Sequence, residues 1–148
     1  MSESGQDIPK TDEKKKDNGP PLKMLVADDT AVNLALATKL MKRRGHDITA
    51  VENGQEAYEA FQKESFDVIL MDIHMPVMDG LESTKKIREF ESSNPSRPPT
   101  PIIAMTANNE QSDHKHYLEN GMNGIITKPL DIKMVVTQIR EIIANFSS

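Results

Sequence analysis

Apolar residues in this chain come in short unbroken runs. Between the runs lie stretches whose apolar residues recur every three or four positions. The runs are KMLVA, from Lys23 to Ala27, then DVILM, PIIAM and the short GIIT, while DITAV, between the first two, is a further strand pattern. Apolar segments of that length, bounded by Gly, Pro or Asp, read as strands buried on both faces. TAVNLALATKLMKRRG follows the first run and sets Val32, Leu36, Leu40 and Met41 at helical spacing, with Thr30 as a cap and Gly45 as a stop. GQEAYEAFQKE carries Ala57, Tyr58 and Phe61 on one side of a second helix. LESTKKIREFESS is the third helix, and a polar stretch around Glu110 to Glu119 is the fourth. DIKMVVTQIREIIANF is the fifth, with Met134, Val135, Ile139, Ile142 and Ile143 apolar. A strand followed by a helix, five times over, predicts an α/β fold: a parallel sheet covered by helices on both faces. The one long connection, SSNPSRPPTP, is a proline-rich loop before the fourth strand.

Ahead of Lys23 the pattern stops. Residues 1–22, which include TDEKKKDNGPP, have almost nothing to bury and read as a disordered tail or linker. Acids flanking the KKK nearly cancel it, so the tail reads as solvated. Residues 23–148 are then a single domain. Hydrophobic residues make up 36% of the chain and charged residues 28%, enough for a real core under a water-soluble surface. A net charge of −5 offers no basic field for nucleic acid or an anionic membrane. The lack of cysteine excludes a disulfide scaffold, a thiolate nucleophile and a Cys-based zinc site. MSESGQDIPK has no signal-peptide core, and no apolar run is long enough to cross a bilayer. A cytoplasmic protein without membrane contact of its own is expected.

The residues that close the strands change the picture. VILMDIHMPVMDG ends an apolar run on Asp72, and a carboxylate there is costly to desolvate unless something pairs with it. Asp28 and Asp29 close the first strand, Thr106 the fourth and Lys128 the fifth. Ligands of open α/β sheets bind outside the carboxyl ends of the strands, where the strand order switches direction. Each residue alone has a plainer role. Asp29 or Thr30 would cap a helix, and Thr106 would be a turn hydroxyl. Lys128 before Pro129 would mark a sharp connection, for which a cis bond is one solution. Asp79-Gly80 reads as a turn that opens a helix. Converging from separate strands, the acids, the hydroxyl and the ammonium favour a site.

VADDTAVN, MDIHMPVMDG, AMTAN and GMNGIITKP resemble the receiver domain of two-component response regulators, most of all the receivers appended to hybrid histidine kinases. The similarity runs from Lys23 to the end of the chain. It implies a doubly wound (βα)5, flavodoxin-like fold with its parallel strands in the order 2-1-3-4-5. It implies that Asp72 accepts a phosphoryl group from a phosphohistidine in a Mg²⁺-dependent reaction. Asp28 and Asp29 would then form the acidic pocket, Thr106 the switch hydroxyl and Lys128 the conserved ammonium. Mg²⁺ typically takes one or two carboxylates and keeps several waters. The implied ligands are Asp29 and Asp72 directly, the backbone carbonyl of His74, and Asp28 through water. The implied partner is a histidine kinase domain or a histidine phosphotransfer protein, docked largely on the first helix through Asn33, Ala37 and Met41. A monomer is expected.

Two other classes share parts of this pattern. A haloacid-dehalogenase-like phosphohydrolase also uses a strand-end aspartate with Mg²⁺, but it resembles Asp-x-Asp where this chain has His74. A dinucleotide-binding module would need Gly-x-Gly-x-x-Gly after the first strand, which is missing. Among the histidines, His74 would sit beside the phosphoryl group, where it can influence hydrolysis. His46 reads as a turn residue, and His114 and His116, two apart on a helix, read as solvated rather than chelating. Many receivers carry an aromatic three residues before the lysine. Here that position is Ile125, so either output runs through backbone shifts near Thr106 or the domain is mainly a phosphate relay with little conformational output; the hybrid-kinase-like motifs favour the relay.

Overall fold

The computed structural model describes residues 19–107, 110–131 and 133–147. Its strands are β1 (Lys23–Ala27), β2 (Asp47–Val51), β3 (Val68–Asp72), β4 (Ile102–Thr106) and β5 (Gly124–Thr127). Its helices are α1 (Ala31–Arg43), α2 (Gly54–Lys63), α3 (Gly80–Ser93), α4 (Gln111–Glu119) and α5 (Val135–Ser147). Every strand pair is parallel, in the order β2-β1-β3-β4-β5, which is the doubly wound order expected. Asp72 and Thr106 are the last residues of their strands.

Strand alternation divides the core in two. Met24, Val26, Leu70, Ile103, Met105 and Ile126 face one side, where Leu34 and Met41 of α1 and Val135, Val136 and Ile139 of α5 cover them. Leu25, Ala27, Ile69, Met71, Ile102 and Ala104 face the other, under Ala57 and Phe61 of α2, Ile87 of α3 and Tyr117 of α4. All residues of β3 and β4 are buried, as befits strands sandwiched between helix layers.

The first helix departs from its expected face. Leu34, Ala37 and Met41 are buried, whereas Val32 and Leu36 are 75% and 51% exposed. Its apolar residues span more than one face, so spacing alone could not choose which side meets the sheet. Ala37 and Met41 therefore belong to the core, and of the expected docking residues only Asn33 is exposed. Helix α1 ends at the Arg44 cap, and Gly45 follows with φ 99°, a conformation that favours glycine. Asn53 and Asp79 cap α2 and α3 by accepting from the amides of Glu56 and Glu82.

The pole opposite the carboxyl ends of the strands is tied by polar side chains. Leu22, assigned to the tail by its position in the sequence, is buried, and its amide donates to Nδ1 of His46 at 2.9 Å. His46 is thus a buried clasp rather than a turn residue. Residues 1–18 of the expected tail lie outside the described residues. Arg140 of α5 donates to the carbonyl of Pro20. Arg88 of α3 donates to the carbonyls of Gly121 and Thr100 and to the side chains of Asn123 and Glu91. Glu91 and Asn123 in turn accept from the amides of Thr100 and Ile102.

The loop after β3 holds a strained residue. Val77 has φ 69°, and the amide of Met78 donates to the carbonyl of Pro76 at 2.7 Å around it. That is a γ-turn with positive φ, the rarer and costlier form, on a β-branched residue. Its side chain is 81% exposed, so no packing offsets the strain. Val77→Gly should therefore raise stability by about 1 kcal/mol, even after the added entropy of glycine in the unfolded chain. Chemical denaturation of the two proteins measures it; equal or lower stability in the variant would show that the turn is unstrained.

Candidate functional site

The strand register brings the predicted polar residues together. Ala27 pairs with Met71 across β1 and β3, so Asp28 and Asp72, the next residues along, leave the sheet at the same level. These two strands flank the point where the strand order switches direction. Asp72 is paired with Met105, and Thr106 with Thr127, which brings Lys128 just beyond the sheet edge on β5. By alternation Asp28, Asp72 and Lys128 share the face of Val26, Leu70 and Ile126. Thr106 has the opposite parity. It is buried, and its carbonyl accepts from the amide of Lys128 at 2.8 Å. The peptide bond that follows, Lys128-Pro129, is cis.

One ammonium joins two carboxylates. Nζ of Lys128 lies 3.1 Å from Oδ2 of Asp28 and 3.1 Å from Oδ2 of Asp72. Lys128 thus offsets the charge at the tip of β3 and that of Asp28 at once. The other oxygen of Asp28 accepts from the amide of Thr30 at 2.9 Å. Thr30 itself makes no side-chain cap bond to α1, so of the acidic pair it is Asp28, not Asp29, that supports the start of the helix. The amide of His74 approaches Oδ1 of Asp72 at 3.4 Å, and the His74 side chain is exposed.

Asp29 is exposed beside them, and carboxylate oxygens of Asp28, Asp29 and Asp72 lie within 4.8 Å of one another. Among the described residues this is the one group of acidic or imidazole side chains close enough to hold a metal. An all-oxygen donor set with an exposed member suits a hard cation such as Mg²⁺. His114 and His116 are not part of it; their rings lie against Tyr117, with centroids 6.3 and 6.4 Å away. Ile125 is half-buried and packs on the core cluster that contains Tyr117 and Met122.

The electrostatics follow from burial and pairing. Burial pushes the Asp72 carboxyl above its ordinary value of 3.8, and the charge of Asp28 adds to this; Lys128 opposes both without cancelling them. Burial disfavours the Lys128 ammonium, but its bonds to Asp72 and Asp28 outweigh that and hold its pKa above 10.5. Lys128 thus stays charged, and its contribution to folding is lost only in strongly basic solution. For Asp72 the sign is reversed. The folded state binds the proton more tightly than the unfolded state, so the charge costs stability once pH rises through the raised value. Metal-free Asp72→Asn should therefore melt above the parent protein at pH 7, with the advantage shrinking as pH falls toward 3.8. Thermal unfolding in chelator across that range tests this; a lower melting temperature for the variant at pH 7 would reverse the reading.

Comparison with known proteins agrees with this geometry. Residues 24–140 match the family described as the response regulator receiver domain. The chain is 39% identical over 119 residues to the sensor protein GacS of Pseudomonas syringae pv. syringae, covering 77% of this chain and 13% of that protein. It is 37% identical over 131 residues to hybrid signal transduction histidine kinase I of Dictyostelium discoideum, covering 85% of this chain and 7% of that protein. It thus spans a small part of these relatives. Among solved structures, the receiver domain of Ssk1, crystallised with the histidine phosphotransfer protein Ypd1 of Saccharomyces cerevisiae, has a TM-score of 0.78 and 31% identity, covering 82% of this chain and 88% of that one. The receiver domain of sensor histidine kinase PA1611 of Pseudomonas aeruginosa, with magnesium in its active site cleft, has a TM-score of 0.73 and 30% identity, covering 84% and 99%. With the family match over most of the chain and the strand order in agreement, the chain belongs to the response regulator receiver domain family, the receivers of phosphorelay systems.

Proposed function

We propose that Asp72 accepts a phosphoryl group from a phosphohistidine, carried by a histidine kinase domain or a histidine phosphotransfer protein, and that residues 23–148 are the unit that does so. The observation that carries this reading is the Lys128 ammonium, 3.1 Å from both Asp28 and Asp72 at the carboxyl edge of the sheet. A carboxylate nucleophile there has a permanent positive charge beside it, where an anionic group must arrive.

In the transfer, an oxygen of Asp72 attacks phosphorus and the bond from phosphorus to the imidazole nitrogen breaks. The leaving imidazole takes its proton from solvent. The residues mainly position and neutralise. Lys128 exchanges its contact with Asp72 for a phosphoryl oxygen while it keeps Asp28, a compact charge well suited to that exchange. Thr106, on the opposite face of the sheet edge, offers its hydroxyl to another phosphoryl oxygen. Asp29 and Asp72, with the carbonyl of His74, would hold Mg²⁺ directly and Asp28 would do so through water. When bound, the ion supplies further positive charge to the phosphoryl oxygens. The exposed His74 side chain bears on the access of water to the product.

The partner's docking surface on this reading is the exposed part of α1: Val32, Asn33 and Leu36. It borders a groove of about 320 Å³ that runs from Asp28 and Lys128 to Leu40 and Leu130. The receiver of Ssk1, a relative, is crystallised with such a partner. A cytoplasmic monomer completes the proposal. Among the described residues no helix is long and apolar enough to cross a membrane.

Acetyl phosphate with Mg²⁺ should add one phosphoryl mass to the intact protein, and none to Asp72→Asn. Asp29→Ala should lose phosphorylation and Mg²⁺ affinity together with its fold intact, and Asp28→Ala should be milder. Labelling that persists without Asp72, or a metal titration unchanged in Asp29→Ala, would overturn the assignment.

For output, the half-buried Ile125 favours a relay. A β-branched aliphatic has few side-chain rotamers and cannot swing a ring between core and surface. Beryllofluoride, as a phosphoryl mimic, should perturb amide NMR signals around Asp72, Thr106 and Lys128 strongly and the far face of α5 weakly, without dimerisation in ultracentrifugation. Large shifts across α4 and α5 would instead indicate a conformational switch.

A further inference from the structure

The loop from Ile73 to Asp79 has no secondary structure of its own, yet it carries the His74 carbonyl. Its inner end is held by the amide of Ile73 on Met105 at 3.3 Å and the amide of Gly80 on Ile73 at 2.9 Å. Its outer end depends on another element. Among the described residues, the main-chain bond that ties it there runs from the amide of Gly54, the first residue of α2, to the carbonyl of Met78 at 2.9 Å. The contact demands glycine: a Cβ on Gly54 would lie 2.4 Å from the carbonyl oxygen of Met78 and 2.8 Å from that of Asp79.

Gly54 is itself held from behind. Its carbonyl accepts from Oγ of Ser83 at 2.8 Å, and Ser83 has no exposed surface. The amide of Ser83 donates to the carbonyl of Asp79 at 3.0 Å. Met78, Gly54, Ser83 and Asp79 therefore form a closed hydrogen-bonded circuit that fixes the outer end of the loop to the starts of two helices. A hydroxyl in so dry a place is bonded or costly. It contributes no bulk beyond that of alanine except its oxygen.

We infer that Ser83, acting through Gly54, is a positioning residue that sets the height of the 74–78 loop, and with it the affinity of the site for Mg²⁺. This rests on the proposed role of the His74 carbonyl as a metal ligand. Residues behind metal ligands commonly tune affinity in this way, without touching the ion. Ser83→Ala removes the tie between α3 and the Gly54 carbonyl, which frees the start of α2 to shift and lets Met78 follow.

The test is a Mg²⁺ titration of the full chain, followed by amide NMR. Ser83→Ala should weaken Mg²⁺ binding about fivefold, the equivalent of one lost hydrogen bond. Its phosphorylation by acetyl phosphate should return to the parent rate at saturating Mg²⁺. In metal-free protein its amide signals should move at residues 74–78 as well as at Gly54. Gly54→Ala, which must displace the Met78 carbonyl, should show the same signature more strongly. Ile87→Val, a stability control elsewhere in α3, should leave the affinity unchanged. Mg²⁺ affinity in Ser83→Ala within the error of the parent value, or a loss matched by Ile87→Val, would overturn the inference. If Asp29→Ala also bound Mg²⁺ normally, the metal site itself would be wrong, and that outcome is distinguishable from failure of the positioning role alone.

Discussion

The ammonium of Lys128 is the group on which the carboxyl edge of this sheet depends. Two carboxylates project from adjacent strands at the same level, both almost wholly removed from water, and without a counter-charge each would oppose the other's ionisation. Lys128 reaches them from a strand that is adjacent to neither. Its main chain is fixed by the Thr106 carbonyl, so β4 holds in place the residue that neutralises β1 and β3. Such a pair need not stabilise the fold on balance, because desolvation consumes much of the attraction. Its effect is on geometry: Asp72 is held charged, oriented and next to a cation that can release it.

Much of this was legible in the sequence because each candidate site residue lies at, or just past, the end of a strand. Apolar runs such as VILM allow one reading, and a polar residue at their tip is conspicuous. The doubly wound order followed from the alternation together with the family resemblance, and the structure agrees. The harder parts were those where a residue's partner comes from a distant element. The pairing of Lys128 with Asp28 depends on strand register, which spacing does not reveal. His46 looked like a turn residue because its partner, the amide of Leu22, lies across the fold. In α1 the apolar residues outnumber those one face can bury, so periodicity chose Val32 and Leu36 when packing chose Leu34 and Ala37. That excess is itself informative, since a helix apolar on more than one side has a second surface to cover.

The two poles of the sheet are built on different principles. At the opposite pole, Arg88 spreads its guanidinium over main-chain carbonyls and side chains that are themselves hydrogen-bonded, leaving little freedom. At the carboxyl pole, charges of both signs face each other under an open rim, and a γ-turn is held at positive φ. Strain and incompletely shared charge are thus concentrated where a ligand would be received, which is where they are tolerated in functional proteins.

The clasp at residues 20–22 has a geometric consequence for tethering. Pro20 is held by Arg140 and Leu22 by His46, so the chain joins the domain at the pole away from Asp72. The length of β1, on the order of 17 Å, separates that anchor from the carboxyl edge. Any histidine-bearing module joined ahead of Gly19 starts from the wrong end of the domain, and its linker must cover that span before the reacting groups can meet. The effective concentration of such a module at Asp72 is then governed by linker length and stiffness, not by contact at the point of attachment. Short linkers would leave Asp72 open to donors on other chains, and long ones would favour transfer within the same chain.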